Sequence, residues 1–227
     1  MLTLVLALLL GQPNPDAQTY RILFLGNSHT ASNDLPGMVS GLLRSAGHTV
    51  ETSFVFGGFL DDLEPRQDVR DTIDGGKLTH VVLQATKMSS SHRYEYTKEP
   101  GIALVNRAKK AGARPLLFAE WPRKGWDEVD YILGQYEAIR SKAGGEIVPV
   151  CRAWAEAVKK DPSLDLWAAD GNHAKPLGTY LAACAIALTI GGNKAELTYV
   201  PRGVDPKLAP GLLESVRRYL SPPTGPN

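Results

Sequence analysis

The feature that most limits the possible folds of this chain is its alternation of short, continuously apolar runs with longer amphipathic stretches. Apolar residues that run without alternation are typical of strands buried on both faces of a parallel sheet. The predicted strands occupy residues 21–25, 49–56, 80–83, 115–119 and 146–150. Helical spacing of apolar residues predicts helices over residues 35–46, 101–111, 127–143, 176–190 and 212–220.

Strands that alternate with helices of this length indicate right-handed βαβ crossovers. We therefore predict an α/β fold, a three-layer α/β/α sandwich around a five-stranded parallel, flavodoxin-like sheet. No internal repeat or flexible linker divides the chain, so residues 19–221 are predicted to form a single domain, followed by a Pro-rich tail at 222–227. Ligands of such open sheets bind beyond the carboxyl ends of the strands, so the residues after each strand are the candidates for a site.

Composition and charge exclude several classes of protein. Hydrophobic residues make up 43% of the 227 residues and charged residues 22%, which is enough apolar material for a buried core and excludes a disordered, collagen-like or coiled-coil chain. The 25 basic and 24 acidic side chains leave a net charge of +1. Proteins that bind nucleic acid backbones usually carry a clear basic excess, so nucleic acid is not a predicted partner.

The N-terminal segment predicts export. Met1–Leu10 is an unbroken apolar run, too short to cross a bilayer, which needs about 20 residues. A polar, Pro-containing stretch follows and ends at Ala17, a suitable cleavage position. We therefore predict a signal peptide over residues 1–17, a secreted or periplasmic location, and no membrane anchor in the mature chain. No positive residue precedes the apolar run, which makes the signal atypical. The alternative is a hydrophobic strand or helix of the domain itself.

No cofactor or metal is predicted. Cys151 and Cys184 are too few for a disulfide scaffold and lack the spacing of a zinc site; they are interpreted as two buried apolar residues, and whether they pair is open. The sequence contains neither H-E-x-x-H nor C-x-x-C. It also lacks both glycine-rich phosphate-binding patterns, which argues against a flavodoxin-like binder of nucleotides or flavin.

A serine follows the first predicted strand directly. The turn reads Gly26-Asn27-Ser28, so the Ser28 hydroxyl is expected at the carboxyl edge of the sheet, where a helix begins. Backbone N–H groups at a helix start can hold an anion. A serine hydroxyl is a weak nucleophile until a base takes its proton, and Ser28 taken alone is more simply a helix cap.

A histidine that could act as that base lies late in the chain. Asp170 and His173 belong to a short loop that leads into the helix predicted to start at Pro176. A carboxylate three residues before a histidine can accept its Nδ1–H, so that Nε2 faces the nucleophile. The combination predicts Ser28 as nucleophile, His173 as base and Asp170 as the residue that orients it.

With Gly26-Asn27-Ser28 early and Asp170-x-x-His173 late, the sequence resembles the SGNH hydrolases, the GDSL-type lipase and esterase superfamily. Gly-Asn-Ser replaces the commoner Gly-Asp-Ser, and in this it looks like a subgroup of bacterial, often exported, SGNH proteins. The resemblance implies the same three catalytic roles and a reaction that uses no cofactor.

The resemblance also implies an oxyanion hole made of the Ser28 N–H, a glycine N–H after the second strand and an asparagine side chain after the third. Gly58 is the match for the glycine, with its neighbour Gly57 as the rival. The usual Gly-x-Asn-Asp is absent, and Gln84 carries a comparable carboxamide nearer the strand. Gln84 is therefore a candidate donor, and a buried glutamine bonded to the backbone is the alternative.

Two further residues are candidates for substrate binding. His29 is next to the serine and could contact substrate, or it could point away to solvent. Trp121 follows the fourth predicted strand, where an aromatic side chain can form a wall for a sugar or acyl group, or can belong to the core.

The expected function is a serine esterase that works through an acyl-enzyme. Because exported relatives commonly remove acyl groups from carbohydrates, a small-acyl (acetyl) carbohydrate esterase is the preferred interpretation. A simple carboxylester hydrolase or lysophospholipase is the rival among enzymes. The rival from another class is a degenerate SGNH domain that binds a glycan or a protein without turnover, which the altered third block favours. The expected partner is a carbohydrate or small-molecule ester.

Overall fold

The computed structural model of the chain describes residues 17–220. The predicted Pro-rich tail and all but the last residue of the predicted signal peptide lie outside the described residues. The division into signal peptide, domain and tail therefore stays a prediction. The described strands are β1 Thr19–Gly26, β2 Thr49–Phe56, β3 His80–Leu83, β4 Arg114–Phe118 and β5 Glu146–Val148.

These strands form one parallel sheet in the order β2-β1-β3-β4-β5, which confirms the predicted flavodoxin-like arrangement. The order reverses at β1, which has β2 on one side and β3 on the other. A crevice opens at the carboxyl end of a parallel sheet where the order reverses. Ser28 follows β1 at this position, and Gly58 and Gln84 follow the two neighbouring strands.

Helices cover both faces of the sheet, as predicted. They are α1 Ser28–Ala31, α2 Leu35–Ser45, α3 Leu60–Leu63, α4 Gln67–Asp74, α5 Glu99–Lys110, α6 Val129–Ala143, α7 Val150–Lys160, α8 Pro176–Gly191 and α9 Ala209–Leu220. One apolar cluster joins the sheet to α2, α7, α8 and α9, and a second joins it to α3, α4, α5 and α6. Alternate residues of β1 serve the two layers: Ile22 and Phe24 face the first, and Leu23 and Leu25 the second.

The structure corrects the sequence interpretation around the fifth strand. The prediction extended that strand to residue 150, but β5 ends at Val148 and α7 begins at Val150. Pro149 stands between them, and it has no N–H with which to continue the sheet ladder. Helix α7 was not predicted, and neither were α3 and α4, which connect β2 to β3.

Helix α8 provides the support for the loop that carries Asp170 and His173. The helix is buried along most of its length, with α2 and α9 packed against it. Its first residue, Pro176, follows a loop whose two ends are joined by a bridge between Trp167 and Ala174. The loop therefore starts and ends against the core, and its turn is held at the carboxyl edge of the sheet.

The two cysteines are separate buried thiols. Cys151 belongs to one apolar cluster and Cys184 to the other, and neither forms a disulfide. Burial raises the pKa of each thiol to about 12, so both behave as small apolar side chains. Between residues 17 and 220, no helix combines the length and apolarity needed to cross a membrane.

Candidate active site

The turn after β1 presents Ser28 at the first position of α1. The side-chain oxygen of Asn27 accepts the His29 N–H at 3.0 Å, and the Asn27 carbonyl accepts the Thr30 N–H at 3.0 Å. Within the described chain, the Ser28 N–H has no hydrogen-bond acceptor. It is therefore free to bind an anion at the edge of the sheet.

The loop before α8 brings a histidine to this serine. Asp170 Oδ1 accepts the backbone N–H groups of Asn172 and His173, both at 2.9 Å. Its other oxygen, Oδ2, lies 2.6 Å from Nδ1 of His173, and Nε2 of that ring lies 2.8 Å from Oγ of Ser28. The structure thus brings the three predicted catalytic residues into one hydrogen-bonded chain.

The charge of Asp170 determines which nitrogen of His173 carries the proton. The hydrogen bond from His173, together with the N–H groups of Asn172 and His173, holds the pKa of the Asp170 carboxyl well below its usual range. The ionised carboxylate accepts the proton on Nδ1, which leaves the Nε2 lone pair to accept the Ser28 hydroxyl proton. This geometry can remove a proton from Ser28.

Two side chains tie the histidine loop to the rest of the site. Asn33 donates from Nδ2 to the Ala174 carbonyl and to Oγ1 of Thr179, both at 2.9 Å. Trp121 donates from its indole N–H to the Asn172 carbonyl at 2.8 Å. The sequence analysis did not select Asn33, whose left-handed φ of 55° fits a turn. Its long-range contacts left no local signal in the sequence.

The structure separates the two glycines proposed for the oxyanion hole. The Gly57 N–H donates to the Gly26 carbonyl at 2.8 Å, which continues the sheet ladder and uses that donor. The Gly58 N–H has no acceptor within residues 17–220. Of the two, Gly58 keeps a donor available beside that of Ser28, and its role in an oxyanion hole stays a prediction.

The structure does not support Gln84 as an oxyanion donor. Gln84 is fully buried, and its Nε2 donates to Oε2 of Glu120 at 2.8 Å. Its Oε1 accepts the Asn27 N–H and the Thr30 hydroxyl, both at 2.9 Å. The carboxamide therefore fixes the turn that carries Ser28, and the alternative of a buried glutamine bonded to the backbone is correct.

The same contact explains why position 26 is a glycine. A Cβ on Gly26 would lie 2.4 Å from Oε1 of Gln84 and 2.4 Å from Oγ1 of Thr30. Both atoms are held by the hydrogen bonds just described, so neither can move away without loss of the turn geometry.

Glu120 is a site residue that the sequence analysis did not select. It lies two residues beyond β4 and is buried, with the Tyr136 hydroxyl donating to Oε2 at 3.1 Å in addition to Gln84. Burial raises the pKa of this carboxyl to about 7. An acidic residue directly after a buried strand was the available signal, because that position leads into the crevice.

His29 and Trp121 lie inside the protein. The His29 side chain is only 12% exposed, so the alternative in which it points to solvent is wrong. Its ring stacks on Trp121, with centroids 4.8 Å apart, and meets the His173 ring edge-on at 5.3 Å. Trp121 is 3% exposed and also stacks on Trp154, so most of its ring belongs to the core; it also lines the cavity beside His29, and its role in substrate binding stays a prediction. Packing against His29 and the bond to Asn172 make it a support of the histidine loop.

A metal site is not evident in this region. Among residues 17–220, no group of three or more His, Cys, Asp or Glu side chains is arranged to hold a metal ion. The site contains a serine, a base, an orienting carboxylate and two backbone N–H groups without acceptors in the described chain. These are the groups that acyl transfer through a serine requires.

Comparison with known proteins supports the fold and the chemistry. No protein-family model matches the sequence, and no curated protein matches it either. Among solved structures, a candidate SGNH hydrolase from Slackia heliotrinireducens is similar at 25% identity and a TM-score of 0.60, over 76% of this chain and 99% of that one.

Two other solved structures share the fold at lower identity. A DUF4886 family protein from Bacteroides uniformis has 17% identity and a TM-score of 0.67, over 89% of this chain and 95% of that one. A catalytic mutant of Axe2, an acetylxylan esterase from Geobacillus stearothermophilus, has 16% identity and a TM-score of 0.56, over 78% and 95%. The chain thus spans nearly the whole length of each of these proteins.

Proposed function

We propose that this chain, which belongs to the SGNH hydrolase superfamily and is an ester-hydrolysing enzyme, removes small acyl groups such as acetyl from carbohydrates. The observation that carries the proposal is the hydrogen-bonded chain from Ser28 through His173 to Asp170 at the carboxyl edge of the sheet. In this proposal Ser28 is the nucleophile, His173 the general base and Asp170 the residue that holds the base in its working tautomer.

The reaction proceeds in two halves. His173 Nε2 takes the Ser28 proton while Oγ attacks the ester carbonyl, and the protonated ring then gives that proton to the departing alcohol. A water enters, loses a proton to the same Nε2 and attacks the acyl-enzyme, which releases the carboxylic acid and restores Ser28. Negative charge on the carbonyl oxygen is held by the N–H groups of Ser28 and Gly58.

Exposed aromatic rings at the edge of the site support a carbohydrate substrate. Phe56 and Phe59, on either side of the glycine pair after β2, are 58% and 37% exposed. Trp126 is 54% exposed, in a segment that is attached to the histidine loop by a bond from the Lys124 N–H to the Gly171 carbonyl at 2.8 Å. Sugar rings pack their C–H faces on such rings, and the acetylxylan esterase of similar fold acts on this class of ester.

Hydrolysis of p-nitrophenyl acetate by the chain that starts at residue 18 tests the proposal, beside its Ser28→Ala variant. We expect Ser28→Ala to lose essentially all turnover while it stays folded by circular dichroism. Ser32→Ala, in the same segment, is the matched control and should keep the wild-type rate. Equal rates in wild type and Ser28→Ala would contradict the proposal. Negligible turnover of acetylated sugars by a folded protein that binds glycan would favour the degenerate module instead.

We also propose that the protein is exported with removal of residues 1–17. The Gln18 carbonyl accepts the Thr49 N–H at 2.9 Å and β1 begins at Thr19, so cleavage after Ala17 keeps every described strand residue. Expression of the full sequence in a Gram-negative bacterium, followed by N-terminal sequencing of the periplasmic protein, should give a start near Gln18. An uncleaved, cytoplasmic product would contradict export.

A further inference from the structure

A cavity of about 190 Å³, lined by apolar and polar side chains, lies beside the loops that carry the serine and histidine. Residues next to both catalytic positions line it: His29 follows Ser28, and Asn172 precedes His173. Glu120, Ser90 and Tyr131 contribute to its wall. A substrate group next to the ester bond would therefore lie at this cavity.

One polar atom of the wall is buried without a protein partner. His29 Nε2 lies 3.1 Å from Nδ2 of Asn172, which donates to it and leaves the ring proton on Nδ1. His29 Nδ1 is buried and has no hydrogen bond within the described residues; Oε1 of Glu120, at 3.8 Å, is too distant for one. Burial, aided by the nearby His173, lowers the pKa of His29 to about 4, so the ring is a neutral donor at pH 7.

Acceptors and further donors face the same space. Glu120 uses Oε2 for Gln84 and Tyr136. Its Oε1, 3.8 Å from His29 Nδ1, can accept a hydrogen bond when the carboxyl is ionised or donate one when it is protonated. The Tyr131 hydroxyl accepts the Ser89 N–H at 3.0 Å and retains its own proton to donate. A wall that offers both donors and acceptors matches a ligand group that can both accept and donate, and a hydroxyl is the smallest such group on an alcohol moiety.

Other ligand groups fit the cavity less well. An acyl methyl group would leave the His29 N–H and the Glu120 oxygen desolvated and unpaired, which is unfavourable for each group. An anionic group would meet the carboxyls of Glu120 and Glu128, and the only guanidinium in the lining, that of Arg123, is already paired with Glu128. A small acyl chain carries no hydroxyl, so the group that fits belongs to the alcohol part of the ester.

We propose that this cavity binds a free hydroxyl group of the alcohol moiety, through His29 Nδ1 and Glu120 Oε1, and so selects esters of sugars and other polyols over esters of simple alcohols. The inference rests on the function proposed above, because it assigns a specificity site to the same reaction. His29 is thereby a specificity residue and not part of the proton relay.

The test compares two acetate esters with the wild-type enzyme. One is a methyl xylopyranoside monoacetate with free neighbouring hydroxyls, and the other is the same monoacetate with those hydroxyls replaced by hydrogen. Each kcat/KM is divided by the rate of alkaline hydrolysis of the same ester, which removes the difference in intrinsic reactivity. We expect the hydroxyl-bearing ester to be preferred by about tenfold or more, the effect of one well-made buried hydrogen bond.

Variants then assign the preference to the cavity. His29→Phe keeps a ring to stack on Trp121 but removes the donor, and we expect the preference to fall to near one. His80→Phe is the matched control, because His80 is also a buried histidine with its pKa lowered to about 4, at the opposite end of the sheet. It should keep the wild-type preference. Should His29→Phe fail to fold, Tyr131→Phe is the second variant, with a partial loss of preference expected.

The outcomes separate this inference from the proposed function. Ser28-dependent hydrolysis of both esters with no preference would overturn the cavity assignment and leave the esterase intact. An undiminished preference in folded His29→Phe and Tyr131→Phe would also overturn it. Absence of Ser28-dependent hydrolysis of every ester would overturn the proposed function and the inference together.

Discussion

Asp170 accepts hydrogen bonds of two kinds, and only one of them depends on its charge. Its Oδ1 holds two backbone N–H groups of the loop, while Oδ2 holds the His173 ring. An asparagine can reproduce the first contacts, because it keeps a carbonyl oxygen. It would replace the second oxygen with an N–H₂ group, which repels the Nδ1–H and favours the other tautomer of the ring.

We therefore predict that Asp170→Asn folds normally and lowers kcat/KM for p-nitrophenyl acetate by about 10³- to 10⁴-fold, as loss of the correct tautomer does in serine hydrolases. Asp130→Asn, at an exposed position in the first turn of α6, is the control and should leave kcat/KM unchanged. Wild-type turnover by Asp170→Asn would remove Asp170 from the mechanism.

Gln84 shows how a buried amide can control a nucleophile without touching substrate. It holds the Asn27 N–H, one residue before Ser28, and connects that turn to Glu120. We predict that Gln84→Ala lowers the free energy of unfolding by about 2–4 kcal/mol, because it creates a cavity and leaves buried groups unpaired. It should also lower kcat with little change in KM, since Ser28 is displaced while the substrate contacts remain.

Urea denaturation and steady-state kinetics on the same sample check both parts of this prediction. Gln135→Ala, another buried glutamine but on helix α6, is the control for the loss of stability alone. A Gln84→Ala protein as stable as wild type but slower would point to a direct role at the oxyanion, contrary to the structure.

Helix α8 packs closely against Trp154 and the Leu166 carbonyl because residue 178 is a glycine. A Cβ on Gly178 would lie 2.4 Å from Cη2 of Trp154 and 2.5 Å from the Leu166 carbonyl oxygen. That carbonyl also accepts the Lys175 N–H at 2.8 Å, at the base of the histidine loop. The close approach of α8 thus determines both the packing of α7 and the position of the loop.

We predict that Gly178→Ala lowers the free energy of unfolding by about 1–3 kcal/mol through overpacking, and lowers kcat by displacing the loop. Gly134→Ala, on the exposed side of α6 with open space around it, should raise the free energy of unfolding by about 0.5–1 kcal/mol. Denaturation with urea measures both. If Gly178→Ala raised the free energy of unfolding as Gly134→Ala does, α8 would be able to shift away from Trp154 without cost, contrary to the prediction.

Features that depend on a local sequence pattern were predictable. Features that depend on contacts between residues distant in the sequence were not. The runs at 80–83 and 49–56 read as strands because most of their residues are apolar or β-branched, and β3 and β2 have those bounds. Helix α7 was not predicted, because only Pro149 separates it from β5 and its first apolar residue read as a continuation of that strand. In the site, Asp170-x-x-His173 is a local pattern, whereas Gln84 bonds Asn27, 57 positions away, and Asn33 bonds Ala174, 141 positions away.

The order and the common direction of the strands in the sheet bring the residues of the site together. Residues after β1, β2, β3 and β4 meet at one edge because all the strands run in the same direction, and the histidine loop reaches them from α8. The assembly leaves an ionisable carboxyl, Glu120, buried among polar groups. Its burial makes the stability of the fold depend on pH in a direction opposite to that of most carboxyls.

Glu120 has its pKa raised from 4.5 to about 7, so the native state holds a proton that the unfolded chain releases. Its contribution to the free energy of unfolding is full below about pH 4.5 and is lost as pH rises through about 7. His29 and His80 act the other way, because burial lowers their pKa from 6.5 to about 4 and their contribution grows as pH rises between those values. In the wild type the two effects partly cancel below pH 6.5.

We predict that Glu120→Gln removes the part of the free energy of unfolding that is lost as pH rises. Relative to wild type, the variant should gain on the order of a few kcal/mol in free energy of unfolding between pH 4.5 and 8, whatever its offset at pH 4.5. Urea denaturation at several pH values measures the difference between the two proteins. Glu99→Gln, at an exposed position on α5, controls for loss of one carboxylate. A difference between wild type and Glu120→Gln that stays constant across this range would mean that Glu120 is ionised in the folded protein at all these pH values, with its charge balanced by a protonated His29.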